Sequence, residues 1–213
     1  IENVNQYPDC ISGDDLGNQS CGNCPPIHWY INNHCVYAPD YQVLEEIIKV
    51  NEHSLIADAH PEDFYNPNWW DTFIDPTTGD EKSRLVEITL TFKGLHGEIS
   101  LDILNLSELR ILRLEGNSLI GSIPDEITNL QNLQILKLQE NLLTGALPNE
   151  IGLLANLDSL WIYDNQLEGS LPQSITNLSS LGYLGLHENN FSGIIPSNIG
   201  DLSNLQILRL NLN

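Results

Sequence analysis

Seven basic and aromatic residues in the second half of the sequence have the types and the spacing of a ligand-binding surface. They are Arg113, Lys137, Trp161, Tyr163, Tyr183, His187 and Arg209. Four of them, from Arg113 to Arg209, occupy one position of a 24-residue period. Guanidinium and ammonium groups bind carboxylates or sulfates, and aromatic rings bind apolar groups or sugar rings. The pattern therefore predicts a recognition stripe for a protein, a peptide or a glycan.

The stripe belongs to three columns of positions that are expected to face outward. The first contains Thr89, Arg113, Lys137, Trp161, Gly185 and Arg209, the second Thr91, Glu115, Gln139, Tyr163, His187 and Asn211, and the third Ile111, Ile135, Ser159, Tyr183 and Ile207. On strands about 4.8 Å apart, the distance from Arg113 to Arg209 is roughly 19 Å. The alternative is that these are ordinary solvent-facing strand residues with no binding role. Exposed Trp and Tyr favour the stripe, because they are poor choices for solubility alone.

Catalytic motifs find little support in this sequence. There is no G-x-S-x-G elbow and no H-E-x-x-H helix. His187 precedes Glu188 and resembles an acid/base pair, but on an open repeat surface it lacks a pocket. We therefore expect a protein that is not an enzyme and needs no catalytic cofactor.

Four acidic residues form a candidate calcium site. Asp71, Asp75, Asp80 and Glu81 crowd a segment that contains Pro76 and Gly79. Carboxylates are good calcium ligands, but the spacing does not match an EF-hand. Solvated loop acids are the commoner interpretation, so calcium is a weak hypothesis and no other cofactor is expected.

All four cysteines, Cys10, Cys21, Cys24 and Cys35, lie in the first 35 residues. In an exported chain, an even and local set predicts two disulfides that staple a polar segment, with a connectivity that spacing does not determine. The alternative is a zinc site, since Cys21 and Cys24 have chelating spacing and two histidines lie nearby.

The elements that must position the stripe follow from a strict repeat. Asparagine recurs every 24 residues, at Asn117, Asn141, Asn165, Asn189 and Asn213. The same apolar frame surrounds each one; one copy has Leu109, Leu112, Leu114 and Leu119, and the next has Leu133, Leu136, Leu138 and Leu143. An earlier, weaker copy has Lys93 in place of the asparagine. Such self-similarity predicts a stacked repeat architecture.

Each copy encodes a strand, a turn and a return path. The segment from Leu112 to Leu114 alternates apolar and polar residues, which is the pattern of a half-buried strand. Copies stacked side by side form a parallel sheet over a continuous leucine core. The asparagine amide is then expected to pair backbone groups that the following bend leaves open. The glycine and proline that follow, such as Gly145 and Pro148, turn the chain around the back.

The run from Phe191 to Pro196, Phe-Ser-Gly-Ile-Ile-Pro, and its counterparts resemble the plant-type leucine-rich repeat. Receptor-kinase ectodomains, polygalacturonase-inhibiting proteins and some bacterial surface proteins carry similar repeats. The resemblance covers about residues 84–213 and implies an α/β repeat solenoid. In that family the array is a right-handed superhelix with a parallel, strand-lined concave face, and ligands bind on the strands or nearby lateral surfaces.

Three regions are predicted along the chain. Residues 1–40 form a small Cys-stapled module, residues 41–83 a helical cap, and residues 84–213 about five and a half repeats without a C-terminal cap. Asp40 is expected to cap a helix over 41–51, and the tryptophans at 69 and 70 resemble the family's N-terminal cap. The uncapped C-terminal edge predicts a continuing chain or a covering molecule, with self-association as one form of cover.

Charge and composition limit the partners. Of 29 acidic residues, 15 lie in residues 1–81 beside the single base Lys49, and the chain carries a net charge of −21. Such a field excludes nucleic acid as a partner, and no apolar run is long enough to span a membrane. We expect a secreted or cell-surface recognition module. The alternatives are an inhibitor of a secreted hydrolase, like the polygalacturonase-inhibiting proteins, and a structural or adhesive surface protein.

Overall fold

The computed structural model describes residues 28–31, 34–37, 40, 42–44, 46–47, 51, 69–74 and 81–213. Three of the predicted disulfide cysteines, Cys10, Cys21 and Cys24, lie outside these residues. So do Asp75 and Asp80 of the candidate calcium site. The predictions made for them stay predictions.

A four-stranded sheet precedes the repeats. Its strands are β1 (His28–Ile31), β2 (His34–Tyr37), β3 (Trp70–Ile74) and β4 (Glu81–Leu85), in the order β1-β2-β4-β3. β1 and β2 are antiparallel, as are β3 and β4, whereas β2 and β4 are parallel. Cys35 lies in β2. This sheet joins the end of the Cys-bearing segment to the region just before the first repeat.

The repeats contribute strands to two faces. In chain order they are β5 (Glu87–Thr89), β6 (His96–Gly97), β7 (Ile111–Arg113), β8 (Ser118–Leu119), β9 (Ile135–Lys137), β10 (Thr144–Gly145), β11 (Ser159–Trp161), β12 (Gln166–Ser170), β13 (Tyr183–Gly185), β14 (Asn190–Ser192) and β15 (Ile207–Arg209). β5, β7, β9, β11, β13 and β15 form one parallel sheet in that order. The others pair as β6-β8 and β10-β12-β14. The parallel stack confirms the predicted leucine-rich repeat solenoid.

The back of the solenoid is made of short 3-10 helices rather than α-helices. They span Ile103–Asn105, Asp125–Asn129, Ile151–Leu153, Gln173–Asn177 and Ser197–Asp201. Pro124, Pro172 and Pro196 directly precede three of them. Proline fixes an extended φ and lacks an N–H, so it starts such a turn without losing a hydrogen bond.

The core is a continuous stack of leucine and isoleucine side chains. The central strand residues Leu112, Leu136, Leu160 and Leu184 are fully buried, and each lies directly beside its counterpart in the next repeat, whereas Leu208 in the last strand of the sheet is 40% exposed. Successive side chains of a strand point to opposite faces of the sheet, so the residues on either side of each buried leucine lie on the outer surface.

The asparagines form a ladder of side-chain hydrogen bonds. Asn141 Nδ2 donates to the carbonyl oxygens of Leu114 and Leu138, both at 3.0 Å, and its Oδ1 accepts from Leu119 N at 3.0 Å. Asn117, Asn165, Asn189 and Asn213 make equivalent bonds. Each asparagine thus ties its own repeat to the preceding one, and this fixes the register of the outer columns.

Asp40 differs from its expected role as a helix cap. Residues 40, 42–44 and 46–47 are helical, so Asp40 lies within the helix, and its carboxylate points to β4. It accepts hydrogen bonds from Arg84 Nε at 2.8 Å, from Arg84 Nη2 at 3.1 Å and from Leu85 N at 2.9 Å. Its residue exposure is only 2%. The described contacts of this buried carboxylate anchor the helix to the sheet, because an ion pair at this depth outweighs local capping.

Candidate functional site

The first predicted column is continuous across the concave sheet. Arg113 lies beside Lys137, Lys137 beside Trp161, Trp161 beside Gly185, and Gly185 beside Arg209. Arg113, Lys137 and Trp161 are half-buried, and Arg209 is exposed. We call Arg113, Lys137 and Arg209 the basic column.

Four rings next to this column form an aromatic corner, which consists of Trp161, Tyr163, Tyr183 and His187. Trp161 stacks on Tyr183, with centroids 6.3 Å apart and planes 24° apart. Tyr163 stacks on His187 at 4.3 Å and 17°. Trp161 and Tyr163 meet edge to face at 6.1 Å and 81°. The two stacked pairs therefore meet nearly at a right angle. Trp161 and Tyr183 form the floor of the corner, and Tyr163 and His187 form its wall.

Gly185 makes room for the Trp161 indole. A Cβ at position 185 would lie 2.6 Å from Cε3 and 3.1 Å from Cζ3 of Trp161. The six-membered ring therefore lies against the backbone of the neighbouring strand, where any other residue would displace it. A large ring next to a glycine one repeat later is a signal present in the first column of the sequence.

The second column is more buried than the sequence predicted. Gln139 and His187 were expected to be exposed, yet their exposed fractions are 7% and 9%. Tyr163 lies between them in the column, and its ring stacks on the His187 imidazole. Glu115 Oε2, Gln139 Oε1 and His187 Nδ1 are buried atoms for which the described part of the chain offers no hydrogen-bond partner. His187 is thus a stacking partner of Tyr163 rather than half of an open acid/base pair.

A row of carboxylates, not anticipated from the sequence, runs beside the second column. Glu140, Asp164 and Glu188 are exposed, and each directly follows a second-column residue. Their φ angles are 57°, 52° and 55°, in the left-handed region that favours glycine or asparagine. We call these three residues the carboxylate ridge. Their 24-residue spacing is the signal that would have identified them.

The electrostatics at the corner are negative. Tyr163 Oη donates a hydrogen bond to Glu140 Oε1 at 3.4 Å. Burial raises the pKa of the Tyr163 phenol, and the charges of Glu140, Asp164 and Glu115 raise it further. Two ridge carboxylates, Glu140 and Asp164, thus act on this ring together with burial, although the basic column lies only a few residues away along each strand.

The two described members of the candidate calcium site lie in strands rather than in a loop. Asp71 is in β3 and makes an ion pair with Arg110 at 2.8 Å, and Glu81 begins β4. Across the described residues, no three His, Cys, Asp or Glu side chains are grouped to hold a metal ion. In the same part of the chain, no helix is long and apolar enough to cross a membrane.

Comparisons with known proteins match this geometry. A family model described as a leucine-rich repeat region matches residues 87–213. No curated protein matches the chain. Among solved structures, the ectodomain of the receptor kinase SOBIR1 from Arabidopsis thaliana is 27% identical with a TM-score of 0.69, over 84% of this chain and 94% of that one.

Two further structures extend the comparison. The BIR3–SERK2 complex from Arabidopsis thaliana matches 81% of this chain and 92% of that chain, at 26% identity and a TM-score of 0.62. The ectodomain of GASSHO1/SCHENGEN3 from Arabidopsis thaliana, solved in complex with CASPARIAN STRIP INTEGRITY FACTOR 2, is 40% identical with a TM-score of 0.58. That match covers 60% of this chain but only 16% of the larger receptor.

The resemblance drawn from the repeat motif is therefore confirmed. The matched region includes every asparagine of the ladder, all six strands of the concave sheet and the outer columns that they carry. The neighbouring structures are leucine-rich repeat ectodomains of plant receptors. On these grounds, the chain belongs to the leucine-rich repeat family, and its repeats are of the plant type.

Proposed function

We propose that the chain is an extracellular recognition module that binds an extended segment of a peptide or protein on its concave face. The observation that carries this proposal is the aromatic corner, where Trp161 lies against Gly185 beside the basic column. Large aromatic side chains on a rigid, partly exposed surface are typical centres of binding energy. The module binds its partner and does not transform it.

The scaffold suits this task because it is rigid. The asparagine ladder and the buried leucine layers hold neighbouring strands in register, so the outer side chains change little in position when a ligand arrives. A preorganised surface loses little conformational entropy on binding. The similar GASSHO1/SCHENGEN3 ectodomain was solved with a bound factor, which supports a peptide or protein partner and an extracellular location.

The test uses a partner captured from the extracellular fluid of the source organism, then identified and purified. Replacement of Trp161 by alanine should weaken binding by about 2 kcal/mol or more, since central aromatic anchors carry a disproportionate share of the energy. Replacement of the exposed back residue Gln131 should leave the affinity unchanged. Calorimetry gives both affinities, and circular dichroism checks that the repeats remain folded.

Lys137→Glu distinguishes the ligand class. Binding of an acidic ligand should weaken, and the loss should shrink as salt rises, because exposed charge interactions are screened. A neutral glycan should respond to Trp161→Ala and ignore Lys137→Glu. If the captured partner is a hydrolase, an activity assay with and without the chain identifies inhibition. Unchanged affinity in both variants, Trp161→Ala and Lys137→Glu, would mean that the partner binds outside the concave face.

A further inference from the structure

The aromatic corner and the carboxylate ridge meet at one place on the concave face. Tyr163 directly precedes Asp164, His187 directly precedes Glu188, and Tyr163 Oη donates to Glu140. The four rings and three carboxylates come from three consecutive repeats. A group bound at the corner is therefore within reach of the ridge.

The charge balance at this place favours a cation. Tyr163 Oη lies 3.4 Å from Glu140 Oε1, and burial together with the charges of Glu140, Asp164 and Glu115 raises the pKa of its phenol. The chain as a whole carries −21, which draws cations toward the face over long range. Lys137 lies beside Trp161 in the same column, and each of them is three residues before a ridge carboxylate, Glu140 or Asp164. A cation at the corner is attracted by the ridge, and an anion is repelled from it.

The geometry selects a planar cation. A guanidinium group stacks flat on an indole and still directs its N–H fork to carboxylates at its edge. Trp161 supplies the floor, because it lies against Gly185, and the stacked Tyr163 stands at 81° to it. An ammonium group has no flat face to use this floor.

We infer that the aromatic corner is a subsite for an arginine side chain of the bound peptide or protein, with the guanidinium on Trp161 and its N–H groups toward the carboxylate ridge. This inference rests on the proposed function of the concave face. Lys137 and Arg209, which flank Trp161 and Gly185 in the first column, then face acidic groups of the same ligand on either side of the arginine. The two charged lines together give the bound segment a fixed orientation across the sheet.

The experiment uses three capped tripeptides, Gly-Arg-Gly, Gly-citrulline-Gly and Gly-Glu-Gly, titrated into the whole chain. The indole N–H resonance of Trp161, assigned by its loss in Trp161→Phe, reports binding at this side chain. The arginine peptide should shift it with an affinity about tenfold above that of the citrulline peptide. The glutamate peptide should leave it in place. Equal affinities for arginine and citrulline would overturn the inference.

Two variants test the parts of the subsite. Gly185→Ala removes no ligand-binding group but should lift the indole, so affinity for the arginine peptide should fall about fivefold or more. Glu188→Gln should lower it about threefold by removing one ridge charge. The matched control Glu150→Gln makes the same change at an exposed residue next to a back helix and should have no effect. Equal losses of affinity for Glu188→Gln and Glu150→Gln would mean that only the overall charge of the chain attracts the peptide, and they would overturn the role of the ridge.

The outcomes separate this inference from the proposed function. If the arginine peptide does not shift the Trp161 resonance while Trp161→Ala still weakens binding of the captured partner, the concave face binds the partner but the corner is not an arginine subsite. If a methyl glucoside shifts the Trp161 resonance and the arginine peptide does not, the corner is a sugar platform and the inference is wrong. If neither the probes nor the captured partner respond to Trp161, both proposals fail.

Discussion

The repeat region and the sheet that precedes it are held together in different ways. In the repeats, the same hydrogen bonds recur from Asn117 to Asn213, between residues 22 and 27 positions apart. In the region before the repeats, Asp40 and Asn51 make long-range contacts, Asp40 with Arg84 and Asn51 with His96, across 44 and 45 residues.

The difference teaches where a single change matters most. A repeated bond is backed by its copies, and each repeat is stabilised mainly by its two neighbours. A single long-range anchor has no copy, so its loss should destabilise the whole N-terminal sheet. Substitutions in the two regions should therefore differ in size, and the following predictions test this from the largest effect to the smallest.

Reduction should have the largest effect, and it should be confined to the N-terminal region. We expect Cys10, Cys21, Cys24 and Cys35 to form two disulfides, so thiol titration of the unreduced, denatured chain should find no free thiol. Loss of a native disulfide typically costs about 2–5 kcal/mol. Reduced protein should therefore lose the N-terminal transition in a urea melt, while the repeats keep theirs. Four reactive thiols, or one bound zinc ion, would contradict the disulfides.

Asp40→Asn should be the most damaging single substitution among those proposed here. It breaks a buried ion pair and weakens the bond from Leu85 N, at an expected cost of about 3–5 kcal/mol. The control is Asp71→Asn, whose pair with Arg110 has side chains 50% and 45% exposed. An exposed pair contributes at most about 1 kcal/mol. Similar urea midpoints for the two variants would mean that Asp40 is not the anchor.

Asn141→Ala should cost about 1–3 kcal/mol, because it leaves buried backbone groups of two repeats unpaired. Asn132→Ala is a matched control, since that exposed side chain makes one bond, to Ser107 O at 2.9 Å. Its loss should cost under about 0.5 kcal/mol. Gln139 does not suit as a control because it is buried. Chemical denaturation of both variants provides the comparison, and equal costs would refute the ladder.

The smallest effect concerns the Tyr163 phenol, whose folded pKa is raised. Its protonated form is favoured in the folded state, so its contribution to stability is complete below the unfolded pKa of about 10 and is lost as pH rises through the folded pKa. In an absorbance titration near 295 nm, the tyrosines that ionise at the highest pH form a late phase. This phase should contain one tyrosine fewer in Tyr163→Phe. Glu140→Gln should move that phase to lower pH. An unchanged late phase in both variants would show that the ridge does not act on this ring.

Much of the repeat region could be predicted because its causes are local and periodic. The spacing of Leu112, Leu136 and Leu160 predicts the core, and the 24-residue step of the asparagines predicts the ladder. The columns follow from alternation on a strand, so Arg113, Lys137 and Trp161 were assigned to neighbouring positions before their pairing was known.

What escaped prediction depends on contacts across the fold. The partner of Asp40 lies 44 residues away, and nothing around Asp40 distinguishes an ion pair from a helix cap. His187 is stacked on Tyr163 from the neighbouring repeat, and Gln139 is buried as well, although the polarity of each residue alone suggests exposure. The carboxylate ridge was missed because Glu140, Asp164 and Glu188 directly follow the second column, whereas the columns were drawn only from alternating strand positions.

The direction of the asparagine bonds has a consequence for how the chain is made. Asn141 pairs backbone groups of the preceding repeat, at Leu114 and Leu119, and Asn165 does the same for Leu138 and Leu143. During synthesis, a repeat is therefore completed only when the next 24 residues have emerged, about 1–5 s later at ordinary translation rates. We therefore expect the solenoid to form from its N-terminal end during synthesis, with each repeat completed by the asparagine of the next.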